Sequence, residues 1–312
     1  MIRTANLSKR FGGVEAVQSL NLMVREGTAY GLIGPNGAGK TTTMAMLATL
    51  LAPSEGKAWI GGWEVREHPD EVRRIIGYMP DFFGVYDQLT AEEYLAFFAA
   101  GYGIEPSRRE GIIIRLLELV RLTDKRDTYV DHLSRGMKQR LGLARCLVHE
   151  PRLLILDEPA SGMDPRSRIE LWSILRELKA MGKTILISSH ILPELAGFCD
   201  AIGVMEQGKL VADGDVQEIM NRYQAAGRTV EIHLLEDAER AVKRLEKEEG
   251  ITSLRVEGRK LTVELEGDEH RQAELLSRLI AEGISIYRFE ETATDIGEVF
   301  LKIAGNGEDE RP

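Results

Sequence analysis

Residues 34 to 41 read Gly34-Pro35-Asn36-Gly37-Ala38-Gly39-Lys40-Thr41, with Thr42 and Thr43 behind them. The spacing is that of a phosphate-binding loop, G-x-x-x-x-G-K-[ST]. Its flanks suit it: an apolar strand, Ala29 to Ile33, leads in, and a helical run, Thr42 to Leu51, leads out. Glycines let successive N–H groups converge on one point, and the helix that follows adds the positive end of its dipole there. The expected guest is an oligophosphate. Lys40 is placed to meet its β and γ phosphates, and the Thr41 hydroxyl to hold a Mg²⁺ ion, which prefers oxygen ligands.

The chain around this loop has 312 residues, 43% hydrophobic and 29% charged, the balance of an ordinary soluble protein. That length predicts one large domain with a smaller one, or two of middling size. No apolar run approaches the roughly 18 residues of a membrane span, and Met1 leads into a mixed-polarity strand rather than a signal peptide, so a cytosolic chain is expected. Cys146 and Cys199 stand far apart without metal-spaced histidines, which argues against a disulfide framework or a zinc site. The net charge of −10 argues against nucleic acid as a partner.

Residues 2 to 25 read as short strands broken by a turn at Gly12-Gly13. Phe11, just before that turn, is either a core ring or an exposed one that stacks on a nucleotide base. Strands are expected at Lys57 to Ile60 and Ile75 to Met79, with a polar loop around His68-Pro69-Asp70 between them. Thr90-Ala91-Glu92-Glu93 is a capping box that opens a helix from about Ala91 to Gly101. Tyr94, Phe97 and Phe98 fall at its helical spacing and read as core. Another helix follows Pro106, with Ile113, Leu116, Leu117 and Val120 on one face. Seven of the nineteen aromatic residues lie between Phe82 and Tyr102. Phe82, Phe83 and Tyr86, in the loop after Asp81, are the expected docking contacts, since aromatic rings are enriched at the buried centres of interfaces.

Ser134 reads as the N-cap of a helix striped by Met137, Leu141, Ala144 and Val148, and the N–H groups behind it form a second anion site. Leu153 to Leu156 are four apolar residues, a strand buried on both faces, so Asp157 and Glu158 emerge at its carboxyl end, where an open α/β sheet binds its ligand. In-line transfer of a phosphoryl group to water needs a bridging Mg²⁺, a group orienting the water, and donors facing the γ phosphate. Asp157 is expected to hold the ion, Glu158 to polarise the water and Lys40 to neutralise the phosphate. His190 closes the apolar strand Thr184 to Ser189 and emerges at the same edge, within reach of the γ phosphate.

The phosphate loop, the stretch Leu133-Ser134-Arg135-Gly136-Met137, the strand with its two carboxylates at 153 to 158, Ser161-Gly162-Met163-Asp164 and His190 occur in the order of one family. Residues 1 to about 218 resemble the ATP-binding subunit of an ABC transporter, of the ABC-2-type exporter subgroup. The resemblance implies an α/β fold, a P-loop NTPase of the ABC cassette type over residues 1–223 with an inserted helical subdomain at about 85–150. It implies ATP and Mg²⁺ as cofactors. The expected nucleotide contacts are Phe11, Gly34, Pro35, Asn36, Gly37, Ala38, Gly39, Lys40, Thr41, Thr42 and Asp157, with Ser134 and Gly136 reaching the γ phosphate of ATP held by a second cassette. Catalysis falls to Glu158, His190 and Lys40, and the metal to Thr41, Asp157 and Asp81. The implied partners are that second cassette, in a homodimer, and a separate integral membrane permease that holds the chain on the inner, cytoplasmic face of the cell membrane. A non-transport ABC ATPase and an ATP-sensing regulatory protein are the alternatives.

Three positions depart from the family pattern: Arg135 replaces a glycine of the signature, Met137 replaces its glutamine, and Asp81 stands where the Q-loop has glutamine. The Arg135 guanidinium is expected to add a cation near the anion, and Asp81 to meet Mg²⁺ through water. Beyond a linker at 224–228, the order strand, helix, strand, strand, helix, strand over residues 229–304 predicts a small α+β ferredoxin-like domain. Its helices show stripes of Ala238, Ala241, Val242 and Leu245, and of Leu276, Leu279 and Ile280. A last helix at about Asp295 to Ile303 and a disordered tail at 305–312 complete the expectation. Residues 221 to 312 carry 14 Lys and Arg against 21 Asp and Glu, a net of −7, so this domain too is an unsuitable platform for nucleic acid.

Overall fold

The computed structural model describes residues 1–81, 84, 88–219, 228–236 and 238–292. The aromatics expected to dock, Phe82, Phe83 and Tyr86, linker residues 224–227, the helix expected at 295–303 and the tail at 305–312 lie outside the described residues. Two compact units divide the chain, the first ending at Val216 and the second beginning at Gln217.

The first unit opens with β1 (Ile2–Phe11), β2 (Val14–Leu20), β3 (Met23–Val24), β4 (Ala29–Ile33), α1 (Lys40–Leu47), β5 (Glu55–Ile60), β6 (Trp63–Glu64), α2 (Pro69–Ile75) and β7 (Ile76–Met79). Next come three helices, α3 (Ala91–Gly101), α4 (Pro106–Leu119) and α5 (Arg135–Leu147). The unit closes with β8 (Leu153–Leu156), α6 (Pro165–Ala180), β9 (Thr184–Ser189), α7 (Leu192–Ala196), β10 (Ala201–Glu206) and β11 (Lys209–Asp215).

Its central sheet runs β11-β10-β4-β9-β8-β7, parallel throughout except for the β10–β11 hairpin at one edge. Strands β4, β8 and β9 are buried along their whole length, as parallel strands covered on both faces must be. A second sheet, β2-β1-β5-β6 with β3 against β1, is antiparallel. One apolar cluster joins Ile2, Leu7 and Ile60 of that sheet to Leu32, Ile155 and Leu186 of the parallel one and to Met44 and Leu47 of α1. Burying each such side chain stabilises the fold by about 1.5–3 kcal/mol. Because β4, β7, β8 and β9 run in one direction, the residues that follow them, Gly34, Asp81, Asp157 and His190, lie at one edge of the sheet.

The structure corrects two local expectations here. Around His68-Pro69-Asp70 there is a helix, α2, and not a loop: Pro69 occupies the first turn, Asp70 and Glu71 accompany it, and Arg73 and Arg74 close the last turn, all favourable to the helix dipole. In α3, where both hydrogen bonds of the Thr90–Glu93 capping box are made, Tyr94 is fully buried but Phe97 is 53% exposed. The buried face of α3 holds Ala91, Tyr94, Leu95 and Ala99, and at about 100° per residue Phe97 turns away from it. On α4, by contrast, Ile113, Leu116, Leu117 and the following Val120 are all buried.

The second unit contains β12 (Arg228–Leu234), α8 (Glu239–Leu245), β13 (Ile251–Glu257), β14 (Lys260–Leu265), α9 (Glu269–Ala281) and β15 (Ile286–Thr292). Its sheet order, β13-β14-β12-β15 with every pair antiparallel, is that of the split βαβ, ferredoxin-like arrangement. Val230, Ile232, Leu261 and Val263 of the sheet pack on Ala241 and Leu245 of α8 and on Leu275 and Leu279 of α9. The stripe of α9 is therefore Leu275 and Leu279; Ile280, expected inside, is 57% exposed.

Candidate functional site

The phosphate loop enters α1 through Gly39, whose φ of +102° lies in the left-handed region and whose added Cβ would stand 2.5 Å from the carbonyl oxygen of Ala16. Only glycine satisfies both conditions, and the turn aims the first N–H groups of α1 outward from the sheet edge. Lys40 is buried. Its Nζ donates to the carbonyl oxygens of Gly34 at 2.6 Å and Pro35 at 3.2 Å, and lies 3.3 Å from Glu158 Oε1, an ion pair without hydrogen-bond geometry. Thr41, one residue on, is exposed.

Asp157 is wholly buried at the end of β8. Its Oδ1 accepts a 2.7 Å hydrogen bond from Ser188 Oγ, and its Oδ2 has no protein partner. Burial pushes this carboxyl above the ordinary aspartate range; the Ser188 and Thr41 hydroxyls pull it back, and the charges of Asp81 and Glu158 push it up again. The Thr41 hydroxyl and the Asp81 charge, from two other segments, thus lie close enough to influence Asp157.

Glu158 adopts φ +47°, a left-handed conformation that costs a side-chain-bearing residue about 1–2 kcal/mol. Its backbone N–H donates to Ser188 Oγ at 2.9 Å, and its carboxylate sits between two cationic or polar groups: Oε1 faces Lys40, and Oε2 lies 2.9 Å from His190 Nδ1. A cavity of about 80 Å³ borders Glu158, Ser189 and His190 on the side of Arg168 and Glu194. His190, expected to reach a phosphate, engages Glu158, and Ser189 Oγ accepts the N–H of Ile191 to shape the turn beyond it.

The signature residues make their contacts elsewhere. Ser134 is the N-cap of α5, its hydroxyl accepting the N–H of Met137 at 3.3 Å. Gly136 is buried against α6, where an added Cβ would stand 2.5 Å from Ser167. The Arg135 guanidinium lies over the Cα of Gly162, occupying the place a side chain there would take, so it meets a backbone turn of its own chain. Phe11 is 49% exposed, which excludes the core reading, and Lys9 Nζ lies 5.1 Å from its ring centre.

Lys40, Asp157, Glu158 and His190 therefore come together, with Thr41 and Asp81 acting on Asp157, while Phe11, Ser134 and Gly136 stand apart from that cluster in their contacts. Sequence reasoning passed over Ser188. The signal was present in Ser188-Ser189-His190, two hydroxyls ending a buried strand one step before His190.

Residues 17–161 match the family described as ABC transporter, and residues 214–304 match the one described as ATP-binding protein DrrA1-3-like, C-terminal domain. The uncharacterized ABC transporter ATP-binding protein YxlF of Bacillus subtilis is 34% identical over 303 residues, which is 97% of this chain and 99% of that protein. The daunorubicin/doxorubicin resistance ATP-binding protein DrrA of Streptomyces peucetius is 34% identical over 311 residues, 99% of this chain and 94% of that one. The probable multidrug ABC transporter ATP-binding protein YbhF of Escherichia coli is 39% identical over 219 residues; the match takes in 70% of this chain and spans only 38% of that longer protein. Among solved structures, the ATP-binding subunit of an ABC transporter superposes with a TM-score of 0.65 at 32% identity, over 72% of this chain and 93% of that one. A dimeric bacterial ABC transporter cassette superposes with a TM-score of 0.64 at 25% identity, over 69% and 99%. Alignments that run nearly from end to end of YxlF and DrrA, over a first unit with the P-loop NTPase fold of these cassettes, show that the chain belongs to the family of ABC transporter ATP-binding proteins.

Proposed function

We propose that this chain is an ATP hydrolase that binds Mg²⁺-ATP at the interface of a cassette dimer and powers export through a separate membrane-spanning permease of the ABC-2 type. The observation that carries the reading is Glu158, held between Lys40 and His190 beside the buried Asp157 at the carboxyl edge of the parallel sheet. A γ phosphate entering the loop competes with Glu158 for the Lys40 ammonium. Freed on that side, the Glu158 carboxylate is available to orient a water and take its proton, while His190 fixes the other oxygen.

The donor set suits a hard divalent cation: the Thr41 hydroxyl and the buried Oδ2 of Asp157, which accepts no hydrogen bond within the protein, are oxygen donors. When bound, Mg²⁺ neutralises charge on the β and γ phosphates. Thr41 and Asp157 would hold it, with Asp81 as a further oxygen donor.

Export is supported by the relatives, which include a Nod factor export protein from Burkholderia and the drug-resistance protein DrrA. Among the described residues no helix is long and apolar enough to cross a membrane, so a membrane path is assigned to a separate permease on whose cytoplasmic side this chain docks. Ser134 and Gly136 act in the dimer, on the nucleotide of the second cassette.

The test is phosphate release by the purified chain, with and without Mg²⁺, beside Glu158→Gln. The variant is expected to bind ATP as the native chain does and to lose turnover by orders of magnitude, the pattern of a group that acts in the transition state. Native-like turnover in Glu158→Gln would remove Glu158 from the mechanism and, with it, this reading of the site.

A further inference from the structure

We infer that Ser188 is a positioning residue for hydrolysis, one hydroxyl that sets both carboxylates of the site. The inference rests on the ATPase reading above and names a group that reading leaves out.

Ser188 is fully buried near the end of β9. In the register of the sheet, Ile187 pairs with Leu156, the last residue of β8, and Ser188 pairs with Leu32 of the strand that leads into the phosphate loop. Ser188 therefore stands one step beyond the last β8 rung, beside Asp157, with the phosphate-loop strand on its other flank. A hydroxyl has one proton to give and lone pairs to receive. Here the proton goes to Asp157 Oδ1 at 2.7 Å, and a lone pair takes the N–H of Glu158 at 2.9 Å.

Each bond has its own effect. The first occupies Oδ1 of Asp157, so that Oδ2, buried and without a protein partner, is the oxygen left for a cation. The second satisfies the N–H of a residue in left-handed conformation, φ +47°, and that conformation turns the Glu158 side chain back toward Lys40 and His190. Alanine at 188 removes both constraints at once: the Asp157 carboxylate is free to rotate and the part-buried N–H of Glu158 loses its partner. Cysteine is close in size to serine but a weak donor and acceptor, and threonine keeps the hydroxyl.

The experiment compares native protein, Glu158→Gln, Ser188→Ala, Ser188→Cys and Ser188→Thr in thermal unfolding, ATP affinity without metal, Mn²⁺ binding in the presence of ATP by electron paramagnetic resonance, and steady-state hydrolysis. Ser188→Cys and Ser188→Ala are expected to bind metal-free ATP within about twofold of native, to bind Mn²⁺ more weakly, and to lose about 10–100-fold in kcat, the scale of losing a group that orients a metal ligand. Ser188→Thr is expected to recover most of both. If Ser188→Cys stays folded with native Mn²⁺ affinity and native kcat, or if Ser188→Thr is as impaired as Ser188→Ala, the inference is overturned. If the native chain itself releases no phosphate, the ATPase reading fails and takes the inference with it; an active native chain beside a folded Ser188→Cys of native kcat and native Mn²⁺ affinity sinks the inference alone.

Discussion

A Cβ added to Gly136 would lie 2.5 Å from both the Cβ and the Oγ of Ser167, so the signature glycine is required by packing within its own subunit, where the start of α5 meets the first turn of α6. The close approach at this glycine is made by the neighbouring helix α6.

Gly136→Ala is therefore expected to cost about 1–3 kcal/mol of stability, the range of overpacking in a well-filled site. Ser167→Gly removes the obstructing Cβ, so the double variant should recover part of that loss even though Ser167→Gly by itself destabilises the helix start. Denaturant unfolding of the three variants decides it. Additive losses in the double variant would mean that the two residues do not obstruct one another.

Ser134 is exposed at the cap of α5, where a partner's nucleotide is proposed to meet it. In Glu158→Gln protein, where ATP is retained, sedimentation with Mg²⁺-ATP is expected to show a dimer. Adding Ser134→Arg should leave monomer, since a long side chain then occupies the contact. A persistent dimer in the double variant would take Ser134 out of the interface.

His149 sets a pH dependence. Its Nε2–H donates to the carbonyl oxygen of Ile76 at 2.8 Å, and its ring stacks on Tyr102 with centres 3.9 Å apart. Burial lowers its pKa below the ordinary imidazole value; the Ile76 bond opposes this and the Lys183 charge adds to it. The fold thus favours the neutral ring. The stability it contributes is present above the unfolded pKa of about 6.5 and is lost as pH falls through the depressed folded value, because the unfolded chain takes up a proton first. Unfolding midpoints followed from pH 7 to 5 should fall less steeply in His149→Gln than in the native chain. Parallel curves would assign the acid sensitivity to other groups.

Much of the site could be read along the chain, because its chemistry lies in contiguous stretches. Lys40 and Thr41 follow a glycine-rich loop, Asp157 and Glu158 end an apolar run, and His190 ends another. Parallel strands then carry all three to one edge. The second unit was legible for a similar reason: its strand and helix periods alternate cleanly, and the strand order conforms to the pattern they imply. Where periodicity was borderline the reading slipped by a fraction of a helical turn, at Phe97 and at Ile280, since a helix face is chosen by what it packs against.

The sequence by itself determined which residue types are available at the sheet edge and in what order, since local pattern and strand direction suffice for that. Only the tertiary structure decided what each of them touches: Ser188 between two carboxylates, Glu158 between Lys40 and His190, Arg135 over Gly162, Gly136 against Ser167. Each of these pairings joins segments whose meeting depends on the register of one strand against the next, or on the angle at which one helix meets another. Register and crossing angle are set by the whole core rather than by the residues that meet.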